Sequence, residues 1–264
     1  MRREPTAIFF FAHQDDEFGV FHQLCQERQA GRRICCVYLT DGASNGVTAQ
    51  TRNAESVAVL LKLGVAERDI VFAGHELSIG DGTLADNMDT ARGWLVTWME
   101  AWIDAGTAEF SDVAAVYVPA WEGGHPDHDA AHAVVAGVMA SMNLLHKTMQ
   151  FSLYNGYQCP APFFRVLSPL LANGKVVESR IPFVDRLRFL ALCLAYPSQA
   201  KTWIGLFPFV LWNYLVTGTQ YLQPISLEQL QSRPHVGTLY YEARKFYDWP
   251  RFAARLQAHW RKSG

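Results

Sequence analysis

The sequence predicts an α/β fold: a Rossmann-like, three-layer arrangement around a mostly parallel central sheet, with a C-terminal α+β extension. Three observations carry this expectation. Wholly apolar runs recur at residues 7–12, 34–39 and 113–118, as strands buried on both faces require. Segments with helical periodicity fill the intervals between them, and that alternation implies parallel strands joined by right-handed crossovers. Polar residues then cluster directly after the strands, where open α/β sheets bind their ligands.

The elements follow in order. Residues 7–12 form the first strand, which breaks at His13-Gln14-Asp15-Asp16-Glu17. Residues 18–30 read as a helix stopped by Gly31. Residues 34–39 are the second strand, closed by Thr40-Asp41-Gly42. Residues 52–63 are helical and end at Gly64. Residues 70–73 make a short strand. Residues 89–103 make a helix carrying Trp94, Trp98 and Trp102 on one face. Residues 113–118 are a further strand, followed by a loop through His128 and a helix to about Met142. No GxGxxG follows the first strand, so the dinucleotide fingerprint is absent.

Beyond residue 150 the pattern is weaker. Residues 163–167 and 175–178 are expected to pair across the turn-forming Asn173-Gly174. Residues 182–196 look helical, and residues 250–262 read as an amphipathic helix. Residues 203–216 are strongly apolar, but this 14-residue run contains Pro208 and Asn213. It is shorter than the ~20 residues needed to span a bilayer. It reads first as buried core or a homo-oligomer contact, and second as a surface touching membrane or a lipidic substrate. The expected organisation is a core over residues 1–150 with residues 151–264 packed on it as one structural domain.

Composition narrows the function. The chain has 264 residues, half of them hydrophobic, enough for one large core. Its 23 Lys and Arg balance 25 Asp and Glu, without the basic excess that a nucleic-acid partner favours. Cys25, Cys35, Cys36, Cys159 and Cys193 are odd in number and form no CxxC pair. They read as buried thiols in a reducing, cytoplasmic compartment. Cys35 and Cys36 are adjacent in a strand and should face opposite sides of the sheet. The apolar run near the N-terminus is too short and too quickly acidic for a signal peptide.

Two clusters carry chemistry. His13, Asp15, Asp16 and Glu17 place three acids beside an imidazole at a strand end, where adjacent carboxylates repel unless a cation sits among them. His13 and Asp16 are spaced to face one centre across a strand-to-helix corner, and their N/O donors suit Zn²⁺. The second cluster is Glu122-Gly123-Gly124-His125-Pro126-Asp127-His128. His128 would supply the third ligand of a His-Asp-His site with an open position, the layout of a catalytic zinc centre with one ion per chain. His132 is expected in an outer or merely packed position.

These motifs resemble the PIG-L/LmbE-like family of zinc-dependent N-deacetylases. The family carries AHPDDE after its first strand and HPDH later. Here they read Ala12-His13-Gln14-Asp15-Asp16-Glu17 and His125-Pro126-Asp127-His128. Thr40-Asp41-Gly42, Arg52-x-x-Glu55, Leu63-Gly64 and Tyr196-Pro-Ser-Gln199 extend the match. Gln14 stands where proline is usual, which leaves the stiffness of that corner open.

The resemblance implies roles. His13, Asp16 and His128 bind zinc. Asp15 is the general base for the metal-bound water. His125, oriented by Asp127, is the acid or a cationic oxyanion stabiliser. Arg52, Asp81 and Glu122 are the expected substrate contacts, with an Arg52–Glu55 surface ion pair as the plainer alternative for Arg52. The implied substrate is an N-acetylated amino sugar or its conjugate. A zinc amidohydrolase on a non-sugar amide and a non-catalytic metal-dependent binding protein are the competing readings.

Overall fold

The computed structural model describes residues 4–44, 46–101, 110–160 and 163–263. Among the described residues nine strands are assigned: β1 Thr6–Phe11, β2 Arg33–Tyr38, β3 Ile70–Val71, β4 Val113–Pro119, β5 Thr148–Phe151, β6 Tyr154–Asn155, β7 Arg165–Val166, β8 Val177–Arg180 and β9 Thr219–Pro224. Seven form one sheet in the order β3-β2-β1-β4-β5-β9-β8. The first five are parallel, and β9 and β8 continue the sheet antiparallel. The Rossmann-like, mostly parallel sheet expected from the sequence is therefore present.

The assigned helices are α1 Phe21–Gln29, α2 Ala49–Leu63, α3 Ala73–Glu76, α4 Met88–Glu100, α5 Pro126–Ser141, α6 Phe183–Cys193, α7 Ala200–Trp212, α8 Tyr240–Ala243 and α9 Trp249–Ser263. They cover both faces of the sheet. Alternation along β1 sends Ile8 and Phe10 into a core with α4, α5 and α9. Ala7, Phe9 and Phe11 point into a second core with α1, α2, α6 and α7. Cys35 and Cys36 divide between these two cores as strand geometry requires.

Local signals set the helix ends. Thr48 caps α2 by accepting from the Thr51 N–H at 3.3 Å, and Gly64 closes it at φ 86°. Trp94 and Trp98 stack at 5.7 Å on α4; Trp102 and Ile103 lie outside the described residues, as does Asn45.

Several expectations need correction. The segment through His128 is not a loop: α5 starts at Pro126, with His125 as its N-cap. Proline is at home in that first turn because it lacks only an N–H that the helix does not use. Ala73 belongs to a short helix rather than to β3. The strands expected to pair across Asn173-Gly174 do not meet. β7 pairs with β6, and β8 pairs with β9, where Thr219–Leu222 gives Val177–Arg180 a partner on the edge of the central sheet.

Residues 203–216 also differ from a buried core. They fall in α7 and the π-turn after it. Trp203, Leu206 and Val210 are buried, whereas Ile204, Trp212 and Val216 are 78%, 67% and 58% exposed. No helix among the described residues is long and apolar enough to cross a membrane.

Candidate active site

The site opens at the carboxyl ends of β1 and β4. After β1 the chain turns sharply, and Asp15 takes φ 121° and ψ −13°. A side chain other than glycine pays for such a backbone, so neighbours must hold it. Glu17 does so from below: its Oε2 accepts the Asp15 N–H at 2.7 Å, and its Oε1 accepts from the Tyr38 hydroxyl. Glu17 therefore braces the corner and does not join the acids at the centre. Arg52 holds the other side, donating to the Gln14 and Gly42 carbonyls and to Asp15 Oδ1 at 3.2 Å.

Gln14 resolves the question raised by the missing proline. Its Nε2 donates to Asn53 Oδ1 at 2.7 Å and to the Asp41 carbonyl at 3.3 Å. A side-chain tether ties the corner to β2's loop and to α2, where proline would have acted through its ring.

Asp16 is oriented by its own backbone. Oδ2 accepts the N–H groups of Ala12 at 3.0 Å and His13 at 2.8 Å. Oδ1 then lies 3.0 Å from His128 Nε2, which is 3.3 Å from His13 Nδ1. Two imidazole nitrogens and a carboxylate oxygen thus share one small space. Donor atoms around a tetrahedral zinc stand about 3.3 Å apart, given metal–ligand distances near 2.0–2.1 Å. The residues fit a divalent cation.

His13 belongs to a second group as well, with His125 and Asp127, and Asp127 meets its Nε2. Asp127 is less available as a ligand. Its carboxylate already accepts from Gly82 N at 2.6 Å and Leu84 N at 2.9 Å, and stands 3.1 Å from His13 Nε2. With a cation in the shared space, that contact would favour a proton on His13 Nε2 and leave Nδ1 to ligate.

The resemblance implies an acid or a cationic oxyanion stabiliser at His125. Burial, the largest cause, pushes its imidazole down to about 4. Its Nδ1 accepts the Asp127 N–H at 3.2 Å, which puts the single proton on Nε2. The Asp127 carboxylate is 4.0 Å from His125 Nδ1, too far for a hydrogen bond. Asp15 moves the other way: burial lifts its carboxyl to about 7, against the pull of Arg52.

A cavity of about 430 Å³ gathers His13, Asp15, Asp16, Arg52, Asp81, His125 and His128. Asp81 stands 3.2 Å from His13 Nε2, and 3.8 Å from Arg52. Glu122 is absent from the cavity. It is buried, accepting from Leu153 N and Tyr154 N through Oε1 and from Asn155 through Oε2. Nor does Arg52 pair with Glu55, which instead accepts from the Ser198 N–H and hydroxyl. His132 is packed, its Nδ1 2.8 Å from the Pro119 carbonyl.

Tyr154, Thr202, Gln199 and Phe246 line the cavity and were not expected. Gln199 belongs to a motif already singled out. Tyr154 follows β5, a strand too short and polar to read in advance, and Thr202 lies beyond the expected catalytic core.

Comparison with known proteins decides the family. A profile described as GlcNAc-PI de-N-acetylase, PIG-L, matches residues 8–139. That span is half of the chain and contains every residue of both motifs.

The chain belongs to the PIG-L family.

No curated protein matches it in sequence. Solved structures share the PIG-L family fold. One is the zinc-inhibited form of teicoplanin deacetylase Orf2, with TM-score 0.60 and 16% identity over 84% of this chain and 98% of that one. Another is the A40926 pseudoaglycone deacetylase Dbv21, with TM-score 0.59 and 16% identity over 89% and 100%. A third is N,N'-diacetylchitobiose deacetylase from Pyrococcus horikoshii, with TM-score 0.56 and 15% identity over 84% and 83%.

Proposed function

We propose that this PIG-L protein is a zinc-dependent N-deacetylase acting on an N-acetylated amino sugar or its conjugate. One observation carries the reading: the His13, Asp16 and His128 donors converge beside the Asp15 carboxylate in a single cavity. Held by these three residues, zinc would supply Lewis acidity, lowering the pKa of water to ~7 and polarising the amide carbonyl.

The chain's own residues perform the rest. Asp15, lifted toward neutrality, takes a proton from the attacking water and returns it to the departing amine. The water oxygen first adds to the carbonyl carbon, and the C–N bond breaks as the resulting tetrahedral oxyanion collapses, giving acetate and a free amine. The Nε2–H of His125 donates to the oxyanion. Asp127 orients His13 and fixes the loop carrying Gly82. Arg52 sets the Asp15 corner, and Asp81, Ser44 and Gln199 offer polar contacts for sugar hydroxyls. The five free cysteines support a cytoplasmic placement.

Acetate release from a panel of N-acetylglucosamine derivatives, with the protein loaded in turn with zinc, cobalt and manganese, tests this reading. Turnover abolished by chelation and restored by metal supports it. Inactivity on every sugar beside activity on another amide replaces the sugar with a non-sugar substrate. Sugar binding without turnover under every metal would make the chain a binding protein.

A further inference from the structure

A cavity of about 730 Å³ shares no lining residue with the catalytic one. It lies between residues 169–173, which follow β7, and residues 229–236, with Trp121 at the end of β4 on its wall. Its body is apolar. Trp121 and Leu170 are buried, whereas Leu171 and Val236 are each 81% exposed on the same wall. Apolar side chains left in water around a concave wall favour an occupant that covers them. Small-molecule sites typically measure about 300–1,000 Å³ and are mostly apolar with a few placed polar groups.

The charged and amide donors on this wall are engaged, with one exception. Gln158 donates to the Tyr157 hydroxyl at 3.2 Å, Gln229 to the Ala172 carbonyl, and Asn173 to the Trp121 carbonyl at 2.8 Å. Arg233 is paired with Glu242. Arg165 is the exception. Among the described residues it has no carboxylate within 4.0 Å and no hydrogen bond. Its guanidinium stands 5.9 Å from the centre of the Tyr157 ring, a contact that leaves its N–H groups free to donate. No carboxylate lines the cavity, so an anion entering it meets a cation and no opposing charge.

We propose that this cavity is a second binding site, separate from the catalytic one, for a small amphipathic anion. The apolar body of the ligand lies against Leu170, Leu171 and Val236, and its anionic head takes charge-assisted hydrogen bonds from Arg165. An alkyl chain and a flat aromatic ring are two bodies with that chemistry. The assignment does not rest on the deacetylase reading, because it uses no residue of the catalytic cavity.

Calorimetric titration of the full chain tests it with octane-1-sulfonate and naphthalene-2-sulfonate as the two anionic probes. Sulfonates are poor zinc ligands, which keeps the catalytic centre out of the measurement. Methanesulfonate supplies the head alone, and 1-octanol and 2-naphthol supply the bodies alone. At least one anionic probe is expected to bind ten-fold or more tightly than both its head and its body, and the tighter of the two identifies chain or ring. That affinity should fall at least ten-fold in Arg165→Glu, which reverses the charge, and in Ala172→Trp, which fills the cavity. Both positions are exposed, and circular dichroism checks that each variant stays folded; Arg165→Gln replaces the charge reversal if Arg165→Glu does not. Head, body and whole probe binding alike, or full affinity retained in either folded variant, overturns the proposal.

Discussion

The Asp127 carboxylate stands 3.1 Å from Nε2 of His13, while the same residue offers His125 only its backbone N–H. In the proposed reading Asp127 is thus a positioning residue for a metal ligand, His13. Outer partners of this kind typically contribute 10–100-fold to metal affinity. Asp127→Asn should therefore lower zinc affinity by about 10–100-fold, measured by competition with a chromogenic chelator. Unchanged affinity with reduced turnover would return Asp127 to the role of orienting His125.

Asp15 makes two separable predictions. As the base, its loss in Asp15→Ala should reduce kcat by about 10²–10⁴-fold while elemental analysis finds the metal retained. Near wild-type turnover would rule out that role. Its backbone at φ 121° should also make Asp15→Gly more stable than Asp15→Ala, by about 1–3 kcal/mol. Thermal melts of the two variants would show it.

Glu122 titrates in a window that stability can report. Burial raises its carboxyl from 4.5 to about 7, so the folded protein holds a proton that the unfolded chain releases. Its contribution is greatest below the unfolded value and is lost as pH rises through about 7. Glu122→Gln cannot titrate. The stability of wild type relative to this variant should fall across that window by a few kcal/mol, because each tenfold difference in proton affinity is worth about 1.4 kcal/mol. Parallel melting curves with a constant gap at every pH would contradict the assignment. Below the unfolded value, before that loss begins, the variant should be destabilised by about 1–3 kcal/mol, because its amide places a donor against the Asn155 donor.

On α7, burial separates two tryptophans. Trp203 is 5% exposed and Trp212 is 67% exposed. Trp203→Ala should cost about 3–5 kcal/mol, whereas Trp212→Ala should stay within about 0.5 kcal/mol. Urea denaturation measures both. A large loss at Trp212 would show that this face is covered in solution.

Gly124 leaves no room for a side chain. A Cβ there would collide with the Tyr154 carbonyl oxygen. Gly124→Ala should displace the segment before His125, destabilise the protein by about 1–3 kcal/mol and reduce turnover together with stability. A fully active, equally stable variant would contradict this close approach.

The parallel half was legible because β1, β2 and β4 are buried on both faces and leave uninterrupted apolar runs. The convergence of His13, Asp16 and His128 was legible because they sit just past the ends of those strands. Of the antiparallel additions, β8 was anticipated in part at residues 175–178, but with another partner, and β9 was not. β9 carries Gln220 and Gln223, so it shows neither the run nor the alternation that marks a strand. Roles inside the site also escaped the sequence. Glu17, Glu122 and Asp127 lie in motifs, but what each touches depends on Tyr38, Asn155 and Gly82, all distant in the chain.

The insertion of β9 between β5 and β8 has a consequence for how the polypeptide is made. When β5 leaves the ribosome its outer edge has no partner, because the residues that will cover Met149, Gln150 and Phe151 are Leu222, Gln223 and Pro224. Through that interval the nascent chain carries an open strand edge, a template for pairing with another copy. Synthesis that stalls before β9 therefore leaves an aggregation-prone half, and the antiparallel closure is the step that shields it.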